Sequence, residues 1–170
     1  AKVVSSNSTF PKHKSTFKET LSAGHDSKPI LYYFGLEAVK HFSGFLKNFT
    51  NVDFNIWFIG TVNPDSTLSS LHGAGEIEDE KMWLAIRQLY PQQWRQFLSM
   101  RAVDDIPTAG CIQALKLDRQ KLDLWVQKHG RSELINHYSR SMRLRINASP
   151  TLLINNQPYE KDITEGKLGK

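Results

Sequence analysis

Apolar positions change their period several times along this 170-residue chain, and those changes divide it into elements. Pro29-Ile30-Leu31-Tyr32-Tyr33-Phe34 is an unbroken apolar and aromatic run of strand length, closed by Gly35. Between Leu36 and Phe49, the residues Val39, Phe42, Phe45, Leu46 and Phe49 recur at helical spacing. Val52 to Gly60 reads as a second strand, alternating at its start and apolar on both faces at its end, as a central strand is. A strand, a helix and a strand joined by short turns predict a parallel, right-handed βαβ unit.

The period then becomes mainly helical. Thr61 to Gly75 is rich in Ser, Gly, Asn and Pro and reads as a loop. Glu76, Glu78, Asp79 and Glu80 open a helix whose apolar stripe is Met82, Trp83, Ile86 and Leu89, with Pro91 as its stop. An acidic first turn complements the helix dipole, so these four carboxylates are expected at a solvated helix start. Further helical stretches cover Gln92 to Met100, Cys111 to Leu115 and Asp118 to His129. Asp118 is the expected N-cap of the last of these, and Gly130 its C-terminal cap. Arg131 to Arg145 is a basic amphipathic helix with Leu134, Ile135, Tyr138, Met142 and Leu144 as its apolar residues. A strand from Thr151 to Ile154 follows, with Asn155-Asn156 suited to a tight hairpin turn and a return strand starting at Gln157.

The entry to that last strand is the most specific stretch of the chain. Proline removes a ladder donor, so Pro150 is tolerated only at the first position of the strand. The segment Ala148-Ser149-Pro150-Thr151-Leu152, preceded by a helix and following a βαβ unit plus a helical block, resembles the cis-proline loop of the thioredoxin superfamily. It is most similar to the DsbA-like disulfide-oxidoreductase branch. The resemblance covers about residues 29–160 and implies a thioredoxin-like α/β fold with a mainly helical insertion between the second and third core strands. On that division, residues 1–28 are an N-terminal arm, 29–60 and 146–170 the core, and 61–145 the insertion. The family closes with a further helix after the hairpin, for which the residues up to Lys170 leave barely two turns.

The chemistry of that family does not carry over. Its Cys-x-x-Cys begins the first helix, where the positive helix end favours a thiolate. The matching positions here lie around Leu36 and Val39, which can form neither a thiolate nor a disulfide. The only cysteine is Cys111, inside the helical block. A free cysteine is more often a small buried apolar residue than a nucleophile. The resemblance therefore implies a redox-inactive domain that binds a protein or peptide partner through Ala148, Ser149, Pro150 and Thr151, with Leu36 and Val39 as an apolar neighbour. An alternative is an atypical thiol oxidoreductase that uses Cys111 with a partner thiol.

Composition narrows the remaining classes. With 39% hydrophobic and 11% aromatic residues the chain has enough apolar material for one packed core, and no apolar run approaches membrane-spanning length. The net charge of +5 collects in Lys2 to Lys28 and in the last ten residues rather than in a dense basic face. Nucleic acid is therefore not an expected partner, and a basic structural or nucleic-acid-associated protein is the third reading. No convergent His, Cys or carboxylate spacing calls for a metal, no glycine-rich loop follows a strand, and no cofactor is expected. Ala1 to Ser8 lacks the apolar centre of a signal peptide; an extracytoplasmic location is implied by the resemblance alone.

Overall fold

The computed structural model describes residues 30–34, 53–102, 104–148, 151–154 and 157–158. The expected arm at 1–28 and the expected helix at 36–49 lie outside these residues. Strand β1 (Ile30–Phe34) pairs in parallel with β2 (Asp53–Trp57), register Ile30↔Asp53 to Phe34↔Trp57. On its other edge β1 pairs antiparallel with β5 (Thr151–Ile154), register Leu31↔Ile154 to Phe34↔Thr151. Strand β6 (Gln157–Pro158) completes a sheet of order β2-β1-β5-β6. The parallel pairing of the first two strands and the antiparallel pairing of the last two are thus borne out. The Asn155-Asn156 turn itself lies outside the described residues.

The expected second strand ends sooner than its apolar run. After Trp57 the chain leaves the sheet, and β3 (Gly60–Val62) pairs instead with β4 (Leu68–Ser70), register Gly60↔Ser70 to Val62↔Leu68. The segment expected to be a loop from Thr61 to Gly75 is therefore partly a hairpin. Its polar residues build the turn: Asp65 Oδ1 accepts from the Thr67 N–H at 2.9 Å and from Thr67 Oγ1 at 2.7 Å. Asn63 Nδ2 donates to Thr67 Oγ1 and to Ser69 Oγ. Short polar side chains that bond nearby backbone make a turn as readily as an irregular loop.

Helices follow: α1 (Ala74–Leu89), α2 (Trp94–Ala102), α3 (Thr108–Ala114), α4 (Arg119–Trp125), a π turn (Val126–Gly130) and α5 (Arg131–Arg143). Trp83 on α1 is the centre of an aromatic nest, with Phe97 edge-on at 5.1 Å and Phe58 at 6.2 Å between ring centroids. Its indole N–H donates to Thr108 Oγ1 at 3.0 Å, so the ring is buried without an orphaned donor. Asp118 caps α4 as expected, its Oδ1 accepting from the Lys121 N–H at 3.0 Å.

Gly130 does not end a helix. It has helical backbone angles (φ −54°, ψ −42°) and joins the π turn to α5. A Cβ there would stand 3.3 Å from Lys81 Cβ and Cγ, so glycine lets α1 approach closely. The left-handed caps occur elsewhere. Arg145 (φ 55°) follows α5, with Arg145 N–H on Met142 O and Ile146 N–H on Ser141 O. Lys116 (φ 54°) repeats the pattern after α3, with Lys116 N–H on Gln113 O and Leu117 N–H on Ile112 O. Both are Schellman motifs with a long basic residue where glycine is usual.

Candidate functional site: the loop entering β5 and its supports

The loop that enters β5 starts from the end of α5. The Schellman bond from Ile146 to Ser141 turns the chain, and Ile146 is buried while Asn147 is exposed. Beyond the loop, Thr151 Oγ1 donates to Ala148 O at 2.7 Å, so its two ends are tied across Ser149 and Pro150. Thr151 pairs with Phe34, the last residue of β1. Of the six residues expected to bind a partner, Ala148 and Thr151 are thus brought together. Ser149, Pro150, Leu36 and Val39 lie outside the described residues.

Behind the loop, α5 is fixed by two consecutive polar residues. His137 is buried, and its Nδ1 accepts from the Phe58 N–H at 3.3 Å. Its ring stacks on Phe58 at 5.4 Å and tilts against Trp57 at 4.3 Å. Burial, with Arg87 and Arg140 nearby, pushes its pKa down to about 3, so it is neutral and free to accept that bond. Arg87 itself reaches Asn55 Oδ1 at 2.7 Å, and the Arg140 guanidinium stands 3.7 Å from the Trp57 ring centroid.

Tyr138 is fully buried, and its hydroxyl donates to Glu80 Oε2 at 2.5 Å. Glu80 is 1% exposed. Burial raises its pKa to about 8 against the lowering effect of the Tyr138 bond, and Glu76 and Asp79 add to the rise. It therefore carries a proton at neutral pH. Burial and the Glu80 carboxyl raise the Tyr138 phenol far above its ordinary range.

The acidic stretch thus differs from its expected reading as a solvated helix start. Glu78 pairs with Lys81 at 2.7 Å, and Glu76 accepts from the His72 N–H at 2.9 Å, but Glu80 points into the core. The face of α5 differs too. Leu134, Tyr138 and Leu144 are buried as expected, but Met142 is 46% exposed. His137 and Ser141 are buried in its place, because each has a partner: Phe58 N–H for the imidazole, Tyr138 O for the Ser141 hydroxyl. The periodicity from Leu134 through positions 137, 138 and 141 could have located this face, had polar residues been admitted to it.

Cys111, the candidate thiol, is buried on α3 among the core side chains. Its Sγ–H points to Ile106 O at 3.4 Å. Burial raises its pKa although Arg101 pulls the other way, so the residue is a protonated thiol. No group of three His, Cys, Asp or Glu side chains converges as a metal site among the described residues. No helix among them is long and apolar enough to cross a membrane.

No protein-family model and no curated protein matches the sequence. Solved structures do match. The thiol-disulfide exchange protein α-DsbA2 of Wolbachia pipientis aligns over 88% of this chain and 87% of its own, with TM-score 0.64 and 13% identity. Reduced DsbA1 of Neisseria meningitidis aligns over 85% of this chain and 82% of its own, with TM-score 0.52 and 9% identity. At such identities the likeness is one of fold. It agrees with the strand order, the antiparallel β1–β5 pairing and the helices placed between β2 and β5. The chain has the thioredoxin-like fold of the DsbA-like proteins, with a mainly helical insertion between its second and third core strands.

Proposed function

We propose that this chain is a redox-inactive thioredoxin-like module that binds an extended peptide or protein segment at the loop Ala148–Thr151. The supporting observation is the bridge from Thr151 Oγ1 to Ala148 O at the point where Thr151 faces the end of β1. That bridge ties Ala148 to Thr151 at the sheet's end, where a peptide strand would add by main-chain hydrogen bonds. Leu36 and Val39, which the resemblance sets around the family's cysteine positions, can form no thiolate. Exchange chemistry needs an accessible thiolate, and the single cysteine is buried and protonated. Work outside the cytoplasm belongs to the same proposal and rests on the resemblance alone.

The test is an NMR titration of the full chain with a cysteine-free unfolded peptide. Shifts at Ala148 and Thr151 that are lost in Thr151→Val support the reading. Unchanged shifts across the loop overturn it. Insulin reduction by the native protein that disappears in Cys111→Ser would select the atypical oxidoreductase instead.

A further inference from the structure

The buried pair Glu80 and Tyr138 takes no part in the proposed peptide site, and a buried carboxyl group that meets no cation among the described residues needs a reason. Among the described residues the group that donates to Glu80 is the Tyr138 hydroxyl, at 2.5 Å. The charged groups acting on Glu80 are Glu76 and Asp79 of its own helix, both anionic. From α5, Tyr138 faces it; the neighbouring His137 faces Arg87 and Arg140. From the start of β3 comes Gly60, whose missing Cβ makes room for the Tyr138 ring. Tyr138 is thus seated against α1 and β3 at once. Downstream, the Ser141 hydroxyl bonds Tyr138 O, and the Ser141 carbonyl accepts from Ile146. A continuous set of bonds runs from Glu80 to the residues that enter the β5 loop.

We propose that the Glu80–Tyr138 pair is a proton-controlled latch that holds α5, and through it residues 146–148, against α1 and the start of β3. Protonated, Glu80 is a neutral acceptor that can remain buried; ionised, it gains more from water than from one phenol. Release of α5 lets Glu80 return to its ordinary pKa of 4.5 from about 8, so opening is promoted tenfold per pH unit across that interval. Release also frees His137, which moves from about 3 back to 6.5 and promotes opening as the pH falls. The two effects cancel between 4.5 and 6.5. The latch then loosens between 6.5 and 8, by about tenfold, because His137 and Glu80 are each half-titrated at one end of that interval. This inference goes beyond the peptide-binding reading and does not rest on it.

Amide hydrogen exchange of the full chain, corrected for intrinsic base catalysis, tests it without any peptide, so its failure is separate from failure of binding. Exchange at Leu144 and Ile146, whose N–H groups bond Arg140 O and Ser141 O, is expected to quicken about tenfold from pH 6.5 to 8. The Leu115 and Leu117 amides at the end of α3, followed under conditions where they exchange by local fraying rather than global unfolding, are expected to stay level. In Glu80→Gln the quickening disappears. Tyr138→Phe keeps the ring but removes the bond that lowers the Glu80 pKa, so the upper end of the window moves above pH 8. Equal quickening in Glu80→Gln, equal quickening at Leu115 and Leu117, or an unmoved window in Tyr138→Phe would each overturn the latch.

Discussion

The aromatic ring of Tyr138 fills the space that a Cβ at Gly60 would take. Gly60 opens β3, and Tyr138 lies in the middle of α5, so one missing methyl sets how closely the helix packs on the hairpin. Gly60→Ala is expected to cost about 1–3 kcal/mol, the usual cost of overpacking a tight core. Urea unfolding gives the value. In a Tyr138→Ala background the same substitution is expected to cost much less, because the ring it strikes is gone.

Global stability is expected to have a flat optimum in mild acid. Glu80 has a folded pKa raised from 4.5 to about 8, so the native state holds a proton that the unfolded chain releases, and stability falls as pH rises through that interval. His137 has a folded pKa lowered from 6.5 to about 3, so its contribution falls as pH drops from 6.5. Between 4.5 and 6.5 the slopes offset one another. Above 6.5 the loss runs at about 1.4 kcal/mol per pH unit until about 8. Urea midpoints taken across pH 4 to 9 check the shape, and Glu80→Gln is expected to remove the alkaline limb.

The two basic residues in left-handed caps are expected to be improvable. Arg145→Gly and Lys116→Gly each remove a Cβ from a position at φ near 55°, and each is expected to stabilise by about 0.5–1 kcal/mol. A rise of a few degrees in Tm for either variant would agree. A loss would mean that the arginine or lysine side chain contributes more than its backbone strain costs.

Cys111 is expected to resist thiol reagents in the folded protein and to react once denatured. It is fully buried, and its pKa is raised by that burial. Labelling with a chromogenic disulfide reagent, with and without guanidinium, distinguishes a core thiol from an accessible one. Rapid labelling of the native chain would reinstate it as a candidate nucleophile.

The start of α4 rests on a side-chain cap. Asp118→Ala removes a side-chain acceptor from the Lys121 N–H and is expected to cost about 1 kcal/mol by thermal unfolding.

Local chemistry made much of this fold legible in advance. An aromatic run at Ile30–Phe34, the start of the second strand near Asp53, the stop at Pro91, the cap at Asp118 and a proline before Thr151 each act within a few residues, so their consequences are written in the sequence. Their order implied the thioredoxin-like core. Positions that depend on a distant partner were not legible. Glu80 belongs to an acidic run that suits a solvated helix start, and only the approach of α5 gives it Tyr138. His137 becomes a core residue only because the Phe58 N–H is there to meet it. Gly130 has the sequence context of a helix terminator, yet the packing of Lys81 against it keeps the helix going. By contrast, Lys116 and Arg145 terminate helices without being glycine, because the chain must turn there to bury Leu117 and Ile146. The sequence by itself thus determined the order and type of most elements, through short-range periodicity and caps, but not the β3–β4 hairpin or the π turn before α5. The tertiary structure alone decided which polar groups are buried, since burial of a charge or donor depends on a partner that arrives from elsewhere in the chain.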